Sequence, residues 1–322
     1  MWMRSKGRVF ARLIALPVFT MAALLGWNAT QASAASADAA CATASPADAS
    51  LRQSVVAIPD GRLAYYRFGY GRPLLLITGY RATVSEWNAA FLDALAKDRE
   101  VIVLENPGVG ASHVAHAPDS MEGMATAVSE FIDALHLRQV DVVGWSMGGM
   151  IAQQLALDHP RQVSSLVLLS TTPPGRGAVP VSAAVNTVLS GHAPSPFEAV
   201  MGVLFPSDAQ AQAMRCFRSD MFTPKDYAPT HVDEGVAQAQ SRAMSAWWSD
   251  DKAAAALAQL PIPALVIVGA KDAVLPPRNA QVLKQTLPRA SVYEAADGGH
   301  ALMYQEPVSL ARRITRFLDA RQ

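Results

Sequence analysis

The stretch Val142-Val143-Gly144-Trp145-Ser146-Met147-Gly148-Gly149-Met150 constrains this chain more than any other part of it. A serine stands between two glycines, directly after an apolar β-branched run and directly before a helical pattern. That spacing suits a strand-turn-helix so tight that only glycine fits two residues either side. The serine then holds a strained backbone, and the N–H of the next residue points at a developing oxyanion. With glycine at about 7% of residues, the bare pattern arises by chance in roughly one chain in ten of this length. The surrounding sequence must therefore carry the reading.

Short apolar runs of strand length recur at 73–77, 101–104, 140–143, 163–169, 264–268 and 291–293. Residues 54–58 and 63–68 flank Pro59-Asp60-Gly61 and read as a β-hairpin. Helical periods fall between the runs, at 85–96, 121–135, 147–157, 277–286 and 306–318. Buried strands alternating with helices predict an α/β fold, a mostly parallel sheet with helices on both faces. One interval breaks the rhythm. Residues 173–257 contain helical pieces, prolines and large apolar side chains (Met201, Phe205, Met214, Phe217, Trp247, Trp248) without a buried-strand run. An insertion that long between two strands predicts a helical cap, with the core formed by 54–172 and 258–322.

The first 34 residues have a different character. Arg4, Lys6, Arg8 and Arg12 precede an apolar run of 15 residues, and Ala32-Ser33-Ala34 and Ala35-Ser36-Ala37 offer small-residue cleavage sites. This is the layout of a secretory signal peptide. The run contains Pro17, Thr20 and Gly26 and falls short of the ~20 residues that span a bilayer, so no stable membrane anchor is expected after cleavage between Ala34 and Ala37. No Arg-Arg pair suggests the twin-arginine route. Residues 35–53, rich in Ala, Ser, Asp and Pro, read as a flexible linker, and the mature protein is expected in the periplasm or medium. The whole chain carries 27 basic and 27 acidic residues; removing the four basic ones of the leader leaves 23 against 27. No basic patch points to nucleic acid. Cys41 lies in the linker and lacks the apolar surroundings of a lipid-attachment site. Export permits a Cys41–Cys216 bond, but Cys41 reads as mobile and spacing does not decide the pairing. No His/Cys/Asp spacing suggests a metal site, no cofactor motif is present, and the sequence does not fix an oligomeric state.

An elbow serine needs a base, and the base needs an acid to orient it. In this layout the order along the chain is serine, acid, histidine, with the partners on loops after later strands. Asp272 follows the run 264–268 through Gly269-Ala270-Lys271, and His300 follows 291–293 on the turn Asp297-Gly298-Gly299. His113 and His116 read as loop residues, His136 and His159 as helix C-terminal residues, and His192 and His231 as cap residues. Asp297 is the rival acid, three residues from His300 and too near to support the imidazole from behind. Two N–H donors should hold the oxyanion: Met147, and Tyr80 in the loop Thr78-Gly79-Tyr80-Arg81 after 73–77. Trp145, Met303, Trp247 and Trp248 are the candidate lining of an apolar substrate pocket.

From about Ser54 to Leu318 the chain resembles the α/β-hydrolase superfamily. The resemblance rests on the Thr78-Gly79 turn, Asn106-Pro107-Gly108-Val109-Gly110-Ala111-Ser112, the elbow, Gly269-Ala270-Lys271-Asp272, and Gly299-His300 with Glu306-Pro307. It points to the branch of esterases, cofactor-free haloperoxidases and aminopeptidase-like enzymes with a helical cap. Thr78 stands where members usually have histidine, and Glu105 where they usually have aspartate. The resemblance implies an acyl-enzyme formed at Ser146 from a small-molecule ester or other acyl substrate, and the apolar candidate lining favours a small or medium apolar ester over a charged substrate. Perhydrolase, haloperoxidase and carbon–carbon hydrolase reactions on the same triad are the alternatives, and a non-catalytic ligand-binding protein is a further one. Members acting on haloalkanes or epoxides carry aspartate at the elbow, and Ser146 argues against both.

Overall fold

The computed structural model describes Cys41 and residues 51–320. The leader assigned to 1–34, and the linker apart from Cys41 and 51–53, lie outside these residues. Among the described residues nine strands form one sheet: β1 (Ser54–Ile58), β2 (Gly61–Gly69), β3 (Arg72–Ile77), β4 (Arg99–Leu104), β5 (His113–Val114), β6 (Val140–Trp145), β7 (Val163–Leu169), β8 (Ala264–Gly269) and β9 (Ala290–Ala295). Their order is β1-β2-β4-β3-β6-β7-β8-β9, with the two-residue β5 pairing to β2. His113 thus sits in a short strand instead of a loop. β1 and β2 form the predicted hairpin across Ile58 and Gly61, and β2 runs antiparallel to β4. From β4 to β9 all pairings are parallel. Every residue of β6 and β8 is buried, as both faces of a covered parallel sheet require.

The helices are α1 (Ala89–Leu95), α2 (Met121–Ala134), α3 (Met147–Asp158), α4 (Ala183–Leu189), α5 (Pro196–Leu204), α6 (Gln210–Asp220), α7 (Glu234–Trp247), α8 (Asp251–Leu257), α9 (Arg278–Thr286), α10 (Leu302–Gln305) and α11 (Pro307–Asp319). The interval 173–257 is built from α4 to α8, with an isolated antiparallel bridge from Met221 to Asn88 of the core. Its last two helices pack against α3, tying the insertion to the core. α11 buries Leu310, Ala311, Ile314 and Leu318, one stripe of a 3.6-residue period, and packs on α1.

The helix predicted over 85–96 is divided. A 3₁₀ turn, Val84–Glu86, is closed by a capping box between Thr83 and Glu86, and α1 begins afresh after Asn88, whose Oδ1 accepts from Phe91 N at 2.9 Å. Between the two caps Trp87 is extended, and its carbonyl accepts from Phe222 N at 2.8 Å. Two competing N-cap residues, Thr83 and Asn88, give two short helices where apolar period alone reads one.

Cys41 is bonded to Cys216 on α6. That corrects the reading of Cys41 as a mobile linker residue: the bridge fixes it to the cap, and Cys216 is itself buried. Among the described residues no helix is long and apolar enough to cross a membrane.

Candidate active site

β6 delivers Ser146 to the carboxyl edge of the sheet, between β3 and β7. Ser146 has φ of 56° and ψ of −120°, a conformation L side chains avoid and one that costs about 1–3 kcal/mol. The neighbours hold it there. Its N–H donates to Leu169 O at 2.9 Å, and its carbonyl accepts from Gly149 N at 2.9 Å and from Thr171 Oγ1 at 2.7 Å. The two flanking glycines are required by space. A Cβ at Gly144 would lie 2.3 Å from Gly148 O, and one at Gly148 would lie 2.1 Å from Ile77 O. The elbow can therefore close only where both positions lack a side chain.

Asp272 lies three residues beyond β8, on a turn pinned by its own carboxylate: Oδ1 accepts from Val274 N and Leu275 N, each at 2.9 Å. His300 follows β9, and its Nδ1 lies 2.9 Å from Asp272 Oδ2 and 3.1 Å from Oδ1. Both side chains are buried. With the carboxylate at Nδ1, the ring keeps Nε2 for the reaction. Ser146 and His300 line one cavity. Asp297 is exposed and pairs with Lys271 at 2.9 Å, which removes it as the acid.

The loop after β3 runs beside the elbow. A Cβ at Gly79 would lie 3.2 Å from Ser146 Cβ, so the loop passes within contact distance of the serine. Met147 begins α3, so its N–H has no partner within the helix. Tyr80 and Met147 thus belong to the two segments that flank Ser146. Thr78, which heads this loop, is held by Asn106 Nδ2, which donates to Thr78 O at 3.2 Å and to Thr78 Oγ1 at 3.1 Å. The loop also takes support from α7: Arg81 N donates to Gln240 Oε1 at 2.9 Å, and Arg81 pairs with Glu234 at 2.9 Å.

Three supports have no counterpart in the sequence pattern. Trp145 Nε1 donates to His300 O at 3.1 Å, and the two rings lie 5.7 Å apart, so Trp145 positions the histidine as well as lining the cavity. Gln305 accepts from Gly299 N at 2.7 Å and donates to Asp297 O at 2.8 Å, clamping the histidine turn from α10. Glu105, just after β4, accepts from Val84 N at 2.6 Å and anchors the far end of the Thr78–Val84 loop. Burial pushes its carboxyl up to about 7 despite that bond, with Glu86 nearby adding to the rise. Pairs that join separate loops and elements in this way follow no helix or strand period in the sequence.

The cavity holds about 590 Å³ and is lined mainly by apolar side chains. Its walls include Tyr80, Trp145, Leu189, Phe197, Val200 and Met201. Trp145 lines it as expected, but three other expected lining residues do not. Trp247 and Trp248 close α7 on the core side and donate to Thr172, through its O at 3.4 Å and its Oγ1 at 3.1 Å respectively. Met303, on α10, is wholly buried in the core. The cap instead lines the cavity through α4, α5 and α6, whose helical period gives no signal for which face looks at the serine. His231, assigned only to the cap, is at the cavity wall.

Residues 72–307 match the model of the alpha/beta hydrolase fold family. The chain is 28% identical over 253 residues to a poly(3-hydroxyalkanoate) depolymerase of Ectopseudomonas oleovorans, covering 77% of this chain and 84% of that one. It is 25% identical over 260 residues to a pimeloyl-[acyl-carrier protein] methyl ester esterase of Aeromonas hydrophila, covering 78% and 97%. Among solved structures, an alpha/beta hydrolase fold protein from Chitinophaga pinensis superposes with a TM-score of 0.72 at 22% identity, covering 84% of this chain and 98% of that one, a likeness of fold. The chain is a hydrolase belonging to the alpha/beta hydrolase fold family.

Proposed function

We propose that this protein hydrolyses small or medium carboxylic esters with an apolar acyl arm, through an acyl-enzyme on Ser146. The observation that carries the reading is convergence: a strained serine and a buried Asp272–His300 pair meet at one largely apolar cavity. In the first half-reaction His300 Nε2 takes the Ser146 proton as Oγ bonds to the ester carbonyl carbon. The carbonyl oxygen becomes an oxyanion between the Tyr80 and Met147 N–H groups, each such donor being worth about 3 kcal/mol of barrier. Collapse breaks the bond to the alcohol oxygen, which leaves with the proton from His300. Water then gives its proton to His300, attacks the acyl carbon, and releases the acid as the proton returns to Ser146. Asp272 stabilises the imidazolium of both halves without taking a proton.

The relatives' names include a methyl ester esterase, in keeping with this bond type. The same proposal includes export: residues 1–34 act as a cleaved signal peptide, and a Cys41–Cys216 bridge suits an oxidising compartment. A series of p-nitrophenyl esters from acetate to decanoate tests the chemistry. Turnover should peak at short or medium chains, and no turnover at any length would overturn the ester assignment. N-terminal sequencing of the protein from a periplasmic fraction tests the export claim. The mature chain should start between Ala35 and Asp38, and a chain that still begins at Met1 would overturn cleavage.

A further inference from the structure

We infer that the cavity selects esters whose apolar arm ends in a carboxylate, and that Arg218 is the residue that reads it. This deepens the ester-hydrolase reading and rests on it for the reaction, though not for the binding. Most polar groups at the cavity wall are already committed. Arg81 pairs with Glu234, and Glu86 accepts from Thr83 N at 2.7 Å and Thr83 Oγ1 at 2.6 Å to close its capping box. His231 lies 3.7 Å from Asp233. Ser146 and His300 belong to the reaction. Arg218, on α6, is different: among the described residues no carboxylate pairs with it, and it lines the cavity that contains Ser146.

Its guanidinium is also pre-placed. Arg218 Cζ lies 4.3 Å from the centroid of Phe197, a wall residue on α5. Stacking on an aromatic face restrains the plane of the group and leaves its edge N–H donors for a ligand. A planar fork of donors matches a carboxylate in a bidentate pair, and such charge-assisted bonds are about twice as strong as neutral ones. An apolar arm along Phe197, Val200 and Met201 with an anionic tip therefore satisfies both the walls and the cation. Arg218 is proposed as a specificity residue that contacts substrate away from the reacting bond.

The test compares kcat/KM for p-nitrophenyl half-esters of linear dicarboxylic acids, succinate to sebacate, with the matching monoacid esters at low ionic strength. At the best chain length the acid-ended ester should be favoured about tenfold, one bidentate charge-assisted pair at a solvent-exposed arginine. Arg218→Ala should remove that preference, while Arg218→Lys keeps part of it. Arg215→Ala removes the same charge from α6 at a position outside the cavity wall and should leave the preference in place. Binding is measured separately in Ser146→Ala by titration with monomethyl and dimethyl suberate. A Kd ratio of about ten that collapses in Ser146→Ala/Arg218→Ala supports the inference even if no ester is turned over, in which case only the ester-hydrolase reading fails. Equal Kd values for the two suberates, or a ratio that survives loss of Arg218, overturn it.

Discussion

Exchanging Glu105 for glutamine should change how stability depends on pH. Glu105 is fully buried just after β4, with Oε1 accepting from Val84 N at 2.6 Å and Oε2 lacking a partner among the described residues. Gly110 packs so closely that a Cβ there would lie 2.3 Å from Oε2, which leaves little room for water. Desolvation therefore raises the carboxyl from 4.5 to about 7. For an acid raised in this way, the folded state keeps a proton that the unfolded chain has lost. Its contribution is fully present below the unfolded value of 4.5 and is lost as pH rises through about 7. At about 1.36 kcal/mol per unit, the loss between pH 5 and pH 8 is about 2–3 kcal/mol. Glutamine keeps the acceptor for Val84 and the size of the side chain without the ionisation. Urea unfolding at pH 5, 6, 7 and 8 should show Glu105→Gln gaining about 2–3 kcal/mol relative to wild type across that range. Taking the difference between the proteins cancels buried carboxyls remote from the site, such as Asp141, and leaves Glu105 with its coupling to Glu86. A pH-independent difference, or one that shrinks as pH rises, would mean that the buried Glu105 carboxyl is not raised.

Three further substitutions probe the site and its frame. Trp145→Phe keeps a ring beside His300 but removes the 3.1 Å donor to its carbonyl, a bond worth about 1 kcal/mol, so steady-state assays should show a roughly fivefold loss carried mainly by kcat. A change confined to KM would mean that Trp145 acts only as a wall. Asp272→Asn retains an oxygen for Val274 N and Leu275 N, so the turn should fold while kcat falls about 10⁴-fold, as when a triad histidine loses its carboxylate. Activity within about tenfold of wild type would remove Asp272 from the triad. Cys216→Ser opens a bridge across 175 residues, and loop-closure entropy sets an upper estimate of about 5 kcal/mol of lost stability. Urea titrations with and without reductant should show that loss in wild type on reduction and no further loss in the variant.

Much of the sheet is legible in the sequence because buried parallel strands are short, apolar and bounded by turns. Ser146 and Asp272 are legible as candidates because each follows such a strand, His300 because it follows the half-exposed edge strand β9 on a glycine turn, and at the elbow the flanking glycines have a steric cause. The division of the helix over 85–96 is not, since the caps Thr83 and Asn88 outweigh an unbroken apolar period. Nor are the cavity walls. Trp247, Trp248 and Met303 are large and apolar, but type alone does not say which side of a helix faces the serine and which faces Thr172 or the core. The disulfide is hidden for another reason: a linker-like composition around Cys41 carries no information about a partner 175 residues away. Gln240, Gln305 and Glu105 support the site through bonds that no local periodicity encodes.

The proposed chemistry stands or falls with Ser146 as a nucleophile activated by His300. A fluorophosphonate probe applied to the folded protein, followed by peptide mapping in a mass spectrometer, tests it most directly. One adduct is expected, on Ser146, formed at a rate that falls by orders of magnitude in His300→Ala and absent in Ser146→Ala. No adduct on the folded wild-type protein, or labelling that persists unchanged in Ser146→Ala, would contradict it.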